Sequence, residues 1–244
     1  MFVRVTALVI SSPVFGRNNI PNMMKIAFCM LITYLLYTSA TPVIGVEYRS
    51  VLEFALMLIK ELLFGLALGY VTTLFFTVVQ TAGQTMDMQM GFGMVNVFDV
   101  QNNINIPITG NFLSIVILIT FLSVDGHLML IRILASTFAF VPVGGVVLNP
   151  DVGMVALDVF ALAFVLAIKV AMPMIAAGLL GEVIMGVIVR AIPQMNIFVV
   201  GIPLKILLGL IMLLIILPVF VYFCDTIFDQ MFESIDQMFL GLAG

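Results

Sequence analysis

Long apolar runs, each broken by a charge, a proline or a glycine, are the dominant pattern along this chain. A bilayer core about 30 Å thick needs roughly 20 mostly apolar residues in a helix to cross it. Runs of about that size fill most of the sequence: Ile26–Val46, Phe54–Val79, Phe112–Val124, Leu128–Leu148, Val152–Val189 and Ile206–Phe223. Asp125-Gly126-His127 separates the third from the fourth, and a turn is expected there. The fifth is long enough to bend back on itself, with Pro173 or the Gly178–Gly181 region as the expected break. Two stretches depart from the pattern. Gln84–Gly110 is rich in Gly, Asn and Gln and holds no run long enough for a span, so it reads as a structured or gating loop. From Asp225 to Leu240 the pattern is amphipathic: Asp225, Asp229, Glu233 and Asp236 recur at helical spacing opposite Ile227, Phe228, Met231, Ile235, Met238 and Phe239. An acidic face suits protein or solvent better than an anionic lipid surface.

Composition sharpens this into a class. Hydrophobic residues make up 63% of the chain and charged residues 9%, whereas soluble domains carry about 25% charge. With a mean hydropathy of +1.29, the excess apolar surface must face lipid or other apolar protein. The nine basic residues are scattered singly, so no basic stripe exists for nucleic acid. His127 is the single histidine, and Cys29 and Cys224 lie at opposite ends of the chain. A His/Cys metal cluster and a disulfide framework are therefore not expected. Met1-Phe2-Val3-Arg4 lacks a basic n-region followed by a long apolar stretch, so a cleavable signal peptide is not expected. Arg17, Lys25, Arg49, Arg132, Arg190 and Lys205 near the run ends show no inside bias, so the positive-inside rule assigns no topology.

Individual residues narrow the function classes. Asp125 and His127 stand close together, but no nucleophile elbow, P-loop or dinucleotide fingerprint accompanies them, and no enzymatic role is expected. Charges inside apolar territory, Glu53, Lys60, Glu61, Asp158, Lys169, Glu182 and Arg190, are costly against hydrocarbon and need partners. In-chain ion pairs, a proton relay, or contacts to other subunits through Glu53, Lys60, Glu61, Lys169, Glu182 and Arg190 all stay open. Gly65 and Gly69 form a G-xxx-G pair that lets helices approach closely. Met86, Met88, Met90 and Met94 flank Gly91 and Gly93; methionine is adaptable filler, either packing a core or forming a deformable gasket around a pore.

Ala82-Gly83-Gln84 through Gln89-Met90-Gly91, then Asp125-Gly126-His127-Leu128, and above all Pro193-Gln194-Met195-Asn196-Ile197-Phe198-Val199-Val200-Gly201-Ile202-Pro203-Leu204-Lys205, resemble the FliR family of flagellar biosynthetic proteins. Arg4, Pro13-Val14-Phe15-Gly16 and Ile20-Pro21 resemble the same family's opening, although family members carry more apolar residues before that arginine. The resemblance covers essentially the whole chain, read as one domain over 1–244.

It implies an all-α fold of membrane-class helical hairpins, kinked at Pro and Gly, packed in a hetero-oligomeric export gate of type III secretion. The implied partners are FliP and FliQ homologues, an FlhB-type export protein and basal-body rod or ring components, with membrane lipid around and unfolded export substrates in transit. No cofactor is implied. The implied location is the bacterial cytoplasmic membrane at the flagellar basal body, part of the complex standing on the periplasmic side. The stretch 91–107 matches the family's plug loop, which makes Gly91, Phe92, Gly93, Met94, Val97, Phe98, Asn105 and Pro107 the candidate gating residues; Met86, Met88 and Met90 stay candidates for a gasket, or for core packing, on methionine chemistry alone. The injectisome counterpart shares the fold and is the near alternative. A multi-pass secondary transporter or channel is the distant one, and no internal repeat supports it.

Overall fold

The computed structural model describes residues 1–17, 19–39, 50–92, 107–146, 151–192 and 197–243. Among them are seven α-helices: α1 Phe2–Ser11, α2 Asn22–Ser39, α3 Val51–Met90, α4 Ile108–Ser123, α5 Gly126–Phe140, α6 Asp151–Ala191 and α7 Ile197–Ala243. The all-α membrane class is what the sequence predicts. Three helices, α3, α6 and α7, are long and apolar enough to cross a membrane, and α4 with α5 forms a broken pair bent by 65°.

Local chemistry sets the helix ends. Ser50 caps α3, its hydroxyl accepting the Glu53 N–H at 3.2 Å, and the Ser-x-x-Glu order is that of a capping box. Pro21 precedes α2 and its carbonyl accepts the Met24 N–H at 3.0 Å, as suits a residue with no donor of its own to lose. The α4–α5 break is the predicted turn at Asp125, which takes the left-handed conformation at φ 55°. Gly126 follows because a β-carbon there would collide with the Phe121 ring. Helix α5 stops at Phe140, short of the predicted Leu148, since Pro142 cannot continue it.

One expectation about the long helices fails. The run Val152–Val189 does not bend back: α6 continues through Pro173 to Ala191. Gly178 serves close packing instead of turning, for a β-carbon there would lie 3.0 Å from Gln89 Oε1 and 3.2 Å from Gln89 Cβ. The amphipathic stretch 225–240 is helical, as its spacing predicts. It is the end of α7, which runs unbroken through Pro203 and Pro218. Its acidic residues are exposed, while Ile227, Phe228, Met231, Ile235 and Met238 are buried.

The chain divides into two compact units. The first comprises Met1–Phe76, Phe121–Leu162 and Phe228–Gly244. In it, α1 lies in a slot on α3 made by the glycine pair: β-carbons at Gly65 and Gly69 would collide with the Arg4 carbonyl and the Ser11 side chain. The Thr73 hydroxyl donates to the Ser11 carbonyl at 2.6 Å and closes the far end. Phe121 gathers Phe76, Phe228 and Phe232, with ring centroids 5.4, 5.2 and 6.4 Å away; such ring pairs add about 0.5–1.5 kcal/mol each beyond burial.

At the centre of this unit Arg4 is fully buried. Its Nε and Nη2 donate to Glu61 Oε2 and Oε1 at 2.7 and 3.0 Å, and Nη1 donates to the Thr137 and Val141 carbonyls at 3.3 Å. The Phe64 and Phe138 rings sandwich the guanidinium at 4.3 and 4.4 Å. The Gly144 N–H donates to Glu61 Oε1 at 3.0 Å, so the carboxylate is also multiply bonded. A planar, five-donor cation can satisfy this many acceptors at once, which a lysine could not.

The second unit comprises Thr77–Thr120 and Ala163–Ile227. Its core is Val78, Val79, Ala82, Met86 and Met90 of α3, Leu113 and Ile117 of α4, Leu166, Val170 and Met174 of α6, and Ile216, Phe220 and Cys224 of α7. Cys29 and Cys224 are both buried and free. Coverage is uneven: half of the most apolar stretch of α3 is buried within the chain but only 17% of that of α7. The remainder is surface for lipid or for other chains.

Candidate functional site

The second unit holds both ends of the stretch singled out as a plug. Helix α3 runs to Met90, so Gln84–Met90, expected to be loop, is helical. Burial of Ala82, Met86 and Met90 at a spacing of four explains why: these residues line the core face of one more pair of turns. Met88 points the other way and is 74% exposed. The three methionines therefore do not share one face. Met86 and Met90 pack inside, and Met88 alone is presented outward.

Gly91 ends the helix with φ 85°, the left-handed C-terminal conformation that costs glycine nothing. Its N–H donates to the Met88 carbonyl at 3.2 Å. Helix α4 begins after Pro107, whose carbonyl accepts the Asn111 N–H at 3.0 Å. Gly93, Met94, Val97, Phe98 and Asn105 lie outside the described residues. Gly91, Phe92 and Pro107 lie within them.

Two contacts bind these ends together. The Thr109 N–H, one of the unsatisfied donors of the first turn of α4, donates to both carboxylate oxygens of Asp87, at 3.1 and 3.2 Å. Asp87 and Thr109 are both buried. A carboxylate against a helix N-terminus is doubly favoured, by the hydrogen bond and by the positive end of the helix dipole. One turn earlier on α3, Gly83 meets Gly110 backbone to backbone, and a β-carbon on Gly83 would collide with the Gly110 main chain. The two ends of the stretch 91–107 are thus held together by a joint of two touching glycines and one buried cap. Neither Asp87 nor Gly110 was marked by the sequence, although Gly83 and Asp87, four residues apart, already lay on one helical face.

Beside this joint lies a cavity of about 550 Å³, lined by Met90 at the end of α3 and Gly91 just after it, Met174 and Gly178 of α6, and Gly201 and Gly209 of α7, among others. Gly209 admits Met90, whose Cβ and sulfur would lie 3.2 Å from any β-carbon placed there. At the rim, Lys205 Nζ donates to Glu182 Oε1 at 2.6 Å. The aliphatic stem of Lys205 passes over Gly91, its Cδ 3.8 Å from the position of a β-carbon.

The other singled-out charges divide clearly. Glu61 is buried and paired with Arg4 inside its own chain, so it is not offered to another subunit. Glu182 of α6 finds Lys205 of α7, a partner on a different helix. Glu53 is exposed in the first turn of α3, Lys60 is half-buried, and Lys169 and Arg190 are exposed on α6. Asp125, likewise exposed, belongs to the α4–α5 turn.

Comparison with known proteins follows the same outline. The sequence model of the family described as bacterial export proteins, family 1, matches residues 1–231. The chain is 31% identical to the flagellar biosynthetic protein FliR of Escherichia coli (strain K12) over 232 residues, 95% of this chain and 88% of that protein. It is 30% identical to the FliR of Bacillus subtilis (strain 168) over 247 residues, 100% of this chain and 94% of that protein. The FliR of Aquifex aeolicus (strain VF5) is 31% identical over 237 residues, 95% of this chain and 89% of that protein.

Proposed function

This chain belongs to the bacterial export proteins, family 1, and from that membership we propose that it is a core subunit of the flagellar type III protein export gate. It is a membrane-embedded flagellar component that forms part of the wall of the channel through which unfolded flagellar proteins leave the cell. It performs no bond chemistry of its own. Its partners are FliP and FliQ homologues and an FlhB-type export protein, assembled with basal-body rod or ring components at the cytoplasmic membrane, part of the complex standing on the periplasmic side.

The joint at the base of residues 91–107 is the observation that carries this reading. A channel for threaded polypeptide must stay closed to ions at rest and then admit a chain of varied side chains, so its barrier has to be displaceable as one piece. A segment tethered at both ends by Gly83–Gly110 packing and the Asp87 cap has fixed roots. Of the residues between the roots, Phe92, Met94, Val97 and Phe98 supply apolar sealing bulk, Gly91, Gly93, Asn105 and Pro107 suit turns, and Asp99 is the one charge in the stretch. Most of the outer face of α7 is uncovered within the chain, as expected for a subunit whose apolar surface is completed by sister chains.

Deleting residues 91–107 from the assembled gate should raise leakage of small ions through membranes containing it, with the complex still recovered intact. Unchanged permeability in an intact complex would refute the plug. Recovery of the wild-type chain as a well-behaved solitary protein that moves a small solute on its own would refute the gate assignment altogether.

A further inference from the structure

We infer that the cavity walled by the end of α3 and by α6 and α7 binds one phospholipid with a zwitterionic, amine-bearing headgroup, an acyl chain filling the hollow and the headgroup lying across the Glu182–Lys205 pair at its rim. All of the lining residues belong to the second unit. The inference rests on this cavity and on the membrane class of the chain, and it stands apart from the gate assignment.

The hollow measures about 550 Å³, inside the range of roughly 300–1,000 Å³ that small-molecule sites occupy. A neighbouring helix, about 10–12 Å across and rising about 5.4 Å per turn, would enter such a space for roughly one turn only, so the space suits a flexible chain better than a helix. Apart from Gln89, Glu182 and Lys205, the side chains lining it are apolar, with Met90, Met174 and Met185 among them. Thioether side chains adapt to the bends of an acyl chain. Water is a poor filler, because it needs several polar partners that these walls do not offer. The glycines show that the space is kept open. Gly178 and Gly209 are taken up by close neighbours, Gln89 and Met90. Gly181 and Gly186 are not: a β-carbon on the first would lie 3.9 Å from Leu208 Cδ1, and one on the second would meet nothing within 4 Å. Both stand inside α6, where glycine weakens a helix relative to alanine. What these two contribute is room, and no contact within the chain uses it.

The rim selects the headgroup. Lys205 Nζ donates to Glu182 Oε1 at 2.6 Å, and the two side chains are 30% and 51% exposed. That bond takes one of the three ammonium N–H groups and one of the two carboxylate oxygens, so both signs remain open to an arriving molecule. An anionic head would gain Lys205 but meet the like charge of Glu182 beside it, and a cationic head would meet Lys205 in the same way. A headgroup that carries phosphate and ammonium together lies antiparallel to the pair, phosphate on Lys205 and ammonium on Glu182, and gains charge-assisted hydrogen bonds at both ends. The walls belong to the three helices long and apolar enough to cross a membrane. A phospholipid is the amphiphile that such helices meet, and it joins an apolar chain to a polar head in the order that hollow and rim require.

The test places the full chain, in the complex with which it purifies from membranes, into phosphatidylcholine nanodiscs that carry a trace of phosphatidylethanolamine with a photoactivatable diazirine in its acyl chain. After illumination, peptides covering 174–185 and 201–209 should carry the label. Added phosphatidylethanolamine should displace the probe at least fivefold more effectively than added phosphatidylglycerol. G181L combined with G186L fills the hollow and should cut labelling of these peptides at least tenfold, with the complex recovered within about twofold of wild type. E182Q combined with K205M leaves the hollow intact and should bring the two competitors within about twofold of each other while labelling persists. Labelling that survives in the filled variant overturns the inference, and so does equal competition by the two lipids in wild type. Label found only on other parts of the chain or on another protein would show that the hollow has a different occupant, and it overturns the inference as well. Should the filled variant fail to accumulate, E182Q with K205M decides, and an undiminished preference there overturns the headgroup assignment. The readout is the label and not transport, so a failed gate assignment leaves it unchanged.

Discussion

Replacing Asp87 by alanine should loosen the root of α4 without unfolding the chain. The wild-type carboxylate accepts the Thr109 N–H through both oxygens, 3.1 and 3.2 Å away, with both residues buried. A hydrogen bond to a charged group contributes about 1.5–3 kcal/mol. Losing an N-cap acceptor typically costs about 0.5–2 kcal/mol. These figures describe overlapping effects and are not summed; about 2–3 kcal/mol is the working estimate, because the orphaned N–H stays buried. At about 1.4 kcal/mol per decade, the local opening that exposes Thr109 should become roughly 30- to 150-fold more frequent. Amide hydrogen exchange on the assembled complex reads this at a single position. The Thr109 amide should lose protection by that factor, while amides in the Phe121 cluster keep theirs. D87N retains one acceptor and should fall between. Thr109 protection within threefold of wild type in D87A would refute the cap as the fastening of this joint. Ion leakage of D87A should exceed wild type, but the exchange rate is the direct measure.

Three further outcomes are expected. R4A or E61A alone should cost about 3–5 kcal/mol, because each leaves a buried partner charge uncompensated, whereas R4M combined with E61L should recover most of the loss; thermal denaturation in detergent checks this, and a double variant as damaged as the sum of the singles would contradict it. G83V should disrupt the α3–α4 contact, since the β-carbon meets the Gly110 backbone and cannot be relieved by a rotamer change; it should give low yield or an ion-leaky gate, and a fully functional G83V would show that the helices part there at little cost. E182A and K205A should each change stability by less than about 1 kcal/mol, because the pair is 51% and 30% exposed and such pairs contribute little. A larger measured loss in the assembled gate would mean that a neighbouring subunit covers the pair.

Hydropathy alone determined the class of this protein, because nothing but lipid or apolar protein can cover a chain so poor in charge. It also located the α4–α5 turn, through Asp125-Gly126, and the amphipathic character of residues 225–240, which depend on neighbours within one or two turns. Where helices end was less legible. Polar residues in Gln84–Met90 look like loop until Met86 and Met90 are seen against a core, and Pro173, Pro203 and Pro218 look like breaks until long helices carry through them. An interior proline, which costs about 3 kcal/mol through its lost hydrogen bond and ring clash, is small against the packing of a helix about 60 Å long. Only tertiary structure could decide which charges are partners. Arg4 and Glu61 are 57 positions apart, and Asp87 meets Thr109 because two helix ends converge. Such contacts depend on position in space, and spacing along the chain carries no record of it. The same holds for the glycines: composition counts them, but packing alone showed that Gly65 and Gly69 seat α1 while Gly83 and Gly110 tie the roots of residues 91–107.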